Sequence, residues 1–173
     1  MLASIFKRYT LNVVFVFALI LGMQLPNFLA QYELRLDAHY IESKNQLLQY
    51  QKLADLFFDG DIKALIQKHK DSNIPLFKAE VQVIENTLKS FNVLNKEKND
   101  LKGGLLHKLY FLITKINTPL FKETNASYKA EIVLNKDAII IGLLLALLCS
   151  LCVEMLFLVI TLLKSKSARL RNA

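Results

Sequence analysis

The sequence predicts an all-α fold: two transmembrane helices packed as an antiparallel hairpin, with a helical extracytoplasmic bundle between them. Three observations carry this. Residues 138–163 form an apolar run whose only charge is Glu154, and a shorter apolar run, 11–29, follows Lys7 and Arg8. Between them, apolar residues recur at steps of three and four, the period of an amphipathic helix. That middle region is punctuated by Asp59-Gly60-Asp61, Asp71-Ser72-Asn73-Ile74-Pro75 and Gly103-Gly104, each a helix-breaking combination.

Charge distribution agrees with this layout. The chain of 173 residues carries a net charge of +7, but six of its 22 basic residues and one of its 15 acids lie at the two ends, so the ends hold +5 and the middle +2. Most of the excess sits at membrane borders, which removes the main support for nucleic-acid binding, where one domain would present a concentrated basic face. With Lys7 and Arg8 before the first run and Lys164, Lys166, Arg169 and Arg171 after the second, the positive-inside rule places both termini in the cytoplasm.

Taken in order, residues 1–10 are a cytoplasmic N-terminus and 11–29 the first transmembrane helix. A basic flank and a short apolar run also describe a cleaved signal peptide. Phe28-Leu29-Ala30 puts a bulky aromatic where cleavage wants a small residue, so the segment is expected to stay as a signal anchor. Residues 30–137 form the periplasmic helical part. Leu36, Tyr40, Leu47, Tyr50, Ala54 and Phe57 make one stripe, in a helix that can continue directly from the first span. Gly60 suits a left-handed cap and Asp61 an N-cap for a short helix carrying Ile62, Leu65 and Ile66. Phe77, Val81, Ile84, Leu88 and Phe91 form the most regular stripe, expected to pack antiparallel on the first. Leu105, Leu109, Leu112, Ile113 and Ile116 share a face opposite His107, Lys108, Thr114 and Lys115. That helix either completes the bundle, the expectation taken here, or lies on a membrane surface. From Pro119 the pattern loosens, and 128–134 reads as extended. The second transmembrane helix is 138–163, long enough at about 1.5 Å per residue to cross a core of about 30 Å. Residues 164–173 are a basic cytoplasmic tail.

Gly22-Met23-Gln24-Leu25-Pro26-Asn27-Phe28, Gln31-Tyr32, Arg35, Ala38-His39, Glu42, Ala54-Asp55, Phe58, Gly60-Asp61, Leu65-Ile66 and Glu80 together resemble a proteobacterial family of small inner-membrane proteins, domain of unknown function 2937. The resemblance covers nearly the whole chain. It implies a two-span protein with a helical extracytoplasmic part, and it brings no assigned activity and no functional residues.

The candidate site lies within the spans. Gly142, Ala146, Ser150 and Glu154 are four apart, so three small residues and one acid share a helix face, and Ala18 and Gly22 repeat that spacing in the first span. Small residues at this interval permit close helix approach. Aligning the borders Arg8 and Lys164 puts Ala18 opposite Glu154 and Gly22 level with Ser150. In that register no basic residue of the first span reaches Glu154, so the acid is expected to be neutral or paired with another chain.

Other chemistry is sparse. Cys149 and Cys152 read as packing residues of the second span. His39 and Glu42 share a face, but a metal site in a bundle needs matching ligands from other helices, and no second acid–histidine pair of that spacing is evident. Asn125-Ala126-Ser127 matches a glycosylation sequon, a pattern common by chance. There is no nucleophile elbow, zinc-protease helix or phosphate-binding glycine loop, so neither enzyme nor cofactor is expected. The expected role is a structural or accessory component in the lipid bilayer, docking on a membrane or envelope protein or forming a homo-oligomer, with no nucleic-acid partner. The alternative is a small oligomeric channel or proton-coupled subunit built around Glu154.

Overall fold

The computed structural model describes residues 2–131 and 135–171, with side chains placed for 5–131 and 135–163. It is helical, with no strand among the described residues: α1 (Leu2–Phe57), α2 (Ile62–Lys70), α3 (Pro75–Asp100), α4 (Leu105–Thr114), α5 (Pro119–Ala126) and α6 (Lys136–Arg171). Two of them, α1 and α6, contain stretches long and apolar enough to cross a membrane. The chain divides into two compact units, one of Met1–Ala30 with Ser127–Ala173 and one of Gln31–Ala126. The periplasmic segment expected at 30–137 therefore does not coincide with the second unit, because 127–137 groups with the apolar helices.

In the first unit α1 begins well before the apolar run read from sequence and carries Pro26 in its interior. A proline there removes one backbone hydrogen bond and crowds the preceding turn. Gln24 and Asn27, which flank it, bind the segment that follows α5. Tyr128 donates to Gln24 Oε1 at 2.6 Å, and Asn27 Nδ2 donates to Tyr128 Oη at 3.3 Å and to the Glu131 carbonyl at 3.4 Å. The Phe28 and Tyr128 rings pack at 5.2 Å. Residues 128–131 have no regular structure, and the rest of the expected extended stretch, 132–134, lies outside the described residues.

In the second unit each break does what its residues dictate. Asp59 and Gly60 have φ of +50° and +83°, the left-handed region that glycine enters without penalty. Asp61 then caps α2, accepting from the Lys63 amide at 2.8 Å. Pro75 opens α3, where its missing N–H costs nothing. The long helices pack antiparallel: Tyr40 stacks on Phe91 at 5.6 Å, Asp37 pairs with Lys98 at 2.7 Å, and Tyr50 lies on the Ile66, Val81 and Ile84 cluster.

Two expectations need correction. The loosened stretch after Pro119 is a helix, α5, whose start is set by Thr118: its hydroxyl oxygen accepts from the Phe121 amide at 3.3 Å, and Pro119 follows as first helical residue. On α4 the inward residues are Phe111 and Leu112, while Ile113 and Ile116 are exposed. Salt bridges from Lys108 to Glu33 at 2.7 Å and from Lys115 to Glu97 at 3.5 Å turn both lysines toward the bundle and rotate the helix away from the face read from sequence.

Candidate functional site

Lipid offers no hydrophobic incentive for two apolar helices to associate, so close backbone approach between small residues has to supply the contact. That is what the first unit contains. A Cβ added at Gly22 would fall 2.8 Å from the Gly142 Cα and 3.1 Å from the Ile141 carbonyl oxygen, and one added at Gly142 would fall 2.9 Å from the Leu19 carbonyl oxygen. Real Cβ atoms do not come so close to backbone, so glycine is required at both positions. Ala18 and Ala146, one turn along from each glycine, are buried.

Gly22 thus meets Gly142, eight residues from the Ser150 expected by aligning the basic borders. The register follows the small residues, because a backbone contact is available only where side chains are absent, whereas flexible lysine and arginine stems tolerate displaced borders. One consequence concerns Glu154. It is not opposite Ala18: Lys7 Nζ lies 3.1 Å from its Oε1. The expectation of a neutral acid, or of a counter-ion from another chain, gives way to an ion pair within the chain. Ser150 shares the Glu154 face, and its hydroxyl oxygen is buried with no hydrogen-bond partner. Asn12, Ser150 and Glu154 line one side groove of about 330 Å³, otherwise walled by Leu11, Phe15, Leu147 and Leu151.

Cys149 is half-buried and Cys152 exposed, both as free thiols. No three His, Cys, Asp or Glu side chains converge to hold a metal among the described residues.

The second unit has a polar centre that the sequence reading missed. Tyr32 is fully buried and donates to Glu97, itself buried, and Lys115 completes the group. Burial pushes the Tyr32 hydroxyl far above the ordinary tyrosine range, and the Glu97 carboxylate adds to the shift. Nearby Glu123 receives Arg35 at 2.8 Å and His39 at 3.0 Å. The hydrogen bond from His39 holds the Glu123 carboxyl below the usual carboxylate range against the opposing effect of burial, with charge attraction to His39 and bonding to Arg35 adding to it. An open groove of about 910 Å³ runs past His39, Ser43, Glu97 and Glu123. Its Ser43 hydroxyl oxygen is buried without a partner. His39 therefore turns to Glu123 on α5 rather than joining Glu42 in a ligand set. The signal that points to this centre is the buried face of α1, where Tyr32 and Leu36 stand one turn apart. Its partners lie 65 and more residues away in sequence, beyond the reach of local periodicity.

The family model described as "Protein of unknown function (DUF2937)" matches residues 6–166. No curated protein and no solved structure matches the chain.

Proposed function

This chain belongs to the DUF2937 family, and on that premise we propose that it is a two-pass protein of a bacterial inner membrane that acts as a structural or accessory component, docking on other membrane or envelope proteins. Its two apolar segments form an antiparallel hairpin, its termini are cytoplasmic, and the helical part between is periplasmic. The basic residues at both ends support that orientation.

The observation that supports docking is the side groove holding Asn12, the unpartnered Ser150 hydroxyl and the Glu154 carboxylate. Polar groups at membrane depth are costly when they face lipid and gain most by meeting polar groups of another helix. An adjoining helix with a hydrogen-bonding side chain fills this groove; hydrocarbon leaves the groups unsatisfied. The alternative, a channel or proton-coupled subunit, uses the same carboxylate. Lys7 already supplies that carboxylate with a counter-ion, and a proton carrier must give up its charge, so the ion pair favours docking.

Site-specific photo-crosslinking in native membranes tests this. A photoreactive residue replacing Asn12 is expected to yield one reproducible adduct with a different membrane protein, whereas one replacing Ile20, an exposed apolar position outside the groove, yields none. Adducts with a second copy of the chain would favour the oligomeric reading, and equal, diffuse labelling from both positions would remove the docking one.

A further inference from the structure

We propose that α4 lies in the bilayer interface, with Leu106, Tyr110 and Ile113 set among the lipid headgroups and upper acyl chains. The inference rests on the spanning reading of α1 given above. These three side chains occupy positions i, i+4 and i+7, so they share one face of the helix. They are 74 %, 69 % and 65 % exposed, while Phe111 and Leu112 on the other side are buried. The helix is thus apolar both toward the bundle and away from it. A water-facing helix has no use for the second apolar face, which marks an unfilled contact.

The bilayer is selected as occupant by where α4 is fastened. Lys108 pairs with Glu33 at 2.7 Å. Seven residues on, Lys115 pairs with Glu97, which accepts from Tyr32. The middle of α4 is therefore tied directly to α1 at Glu33, and its C-terminal end is tied through Glu97 of α3 to the adjacent Tyr32, which holds α4 at this level of α1. Glu33 lies four residues beyond Leu29, the last residue of the expected span, a rise of about 6 Å. The headgroup layer on each side of the hydrocarbon core is about that thick. A tyrosine suits this layer, with an apolar ring and a hydroxyl that reaches water. Lys102, exposed just before α4, is a side chain available to phosphate oxygens.

The chain contains no tryptophan, so each introduced one reports a single position. The full-length variants F17W, L48W and Y110W, at exposed positions, are reconstituted in phosphatidylcholine vesicles with and without lipid brominated close to the ester linkage. Phe17 lies inside the first span, and Leu48 lies 19 residues beyond Leu29, about 28 Å along the helix. The expected result is quenching of Y110W comparable to or greater than that of F17W, and several-fold greater than that of L48W. Strong quenching of F17W with Y110W as dark to the lipid as L48W would overturn the α4 proposal and leave the spanning reading standing. Quenching of Y110W alone would keep α4 on the membrane and remove the spanning reading; no quenching at either position removes both.

Discussion

In the first unit α1 and α6 meet without side chains between them, at Gly22 and Gly142, whereas in the second the helices are joined through long polar and aromatic side chains: Tyr32 on Glu97, Tyr40 on Phe91, Lys98 on Asp37. On the spanning reading proposed above, the solvent around each region explains the difference. In water, burying apolar area and pairing charges on helices of mixed composition both contribute. In lipid, leucine gains nothing by leaving hydrocarbon for another leucine, so the contact depends on what is removed from the helix surface. A position without a side chain is therefore as informative in the first unit as a buried tyrosine is in the second.

Substitutions that add or remove single groups sharpen this contrast. The largest effect is expected for Gly22→Val, whose new Cβ collides with the Gly142 backbone; a loss of about 3 kcal/mol is expected from the overpacking range. Thermal unfolding in detergent micelles reads it. Gly104→Ala is the control, because a Cβ there meets nothing and φ is −72°; only the small loss of a glycine N-cap is expected, so its midpoint should fall far less. If both glycines tolerate the change alike, the backbone contact does not organise the first unit.

Tyr32→Phe comes next. It leaves the buried Glu97 carboxylate with Lys115 alone, and loss of one hydrogen bond to a buried charged group costs about 2 kcal/mol. Removing the Asp61 cap with Asp61→Ala is worth about 1 kcal/mol, measured as earlier loss of amide protection in α2 than in α3.

The smallest effect is the most specific. Glu123 is half-exposed, so Glu123→Gln should cost less than about 1 kcal/mol at neutral pH. Its folded carboxyl titrates lower than in the unfolded chain, so its contribution is complete above the unfolded carboxylate range and is lost as pH falls through the lower folded value. Unfolding midpoints of the parent and of Glu123→Gln, compared from pH 7 downward, should therefore converge in acid. A constant gap would mean that His39 and Arg35 stabilise Glu123 through something other than its charge.

How much of this was legible in the sequence differs between the two regions. The breaks at Gly60, Pro75 and Gly103 could be read because their residue types dictate local backbone geometry, and the apolar runs because composition alone marks them. The small-residue positions Ala18, Gly22, Gly142 and Ala146 were visible as a spacing, but their register was not. The mostly apolar residues 1–6, preceding Lys7, make the basic border an unreliable marker of where the first run begins, so matching Arg8 to Lys164 slid the helices by two turns and hid Lys7 from Glu154. α5 was missed because its eight residues are too few for periodicity, although Thr118-Pro119 carries a helix start. The Tyr32–Glu97–Lys115 and Arg35–Glu123–His39 groups could not be assembled from spacing, since each joins α1 to helices far along the chain.

The pair that couples the ends of the first unit is the most direct test of the account. In a double-mutant cycle on the full-length protein in lipid, Lys7→Met leaves Glu154 without its counter-ion, which on the spanning reading should cost about 2.5 kcal/mol. Adding Glu154→Gln to that variant should then restore most of the loss, because the stranded charge is gone. If instead adding Glu154→Gln to Lys7→Met lowers stability by as much as Glu154→Gln does in the parent, Lys7 and Glu154 do not interact, and the register set by Gly22 and Gly142 is contradicted with them.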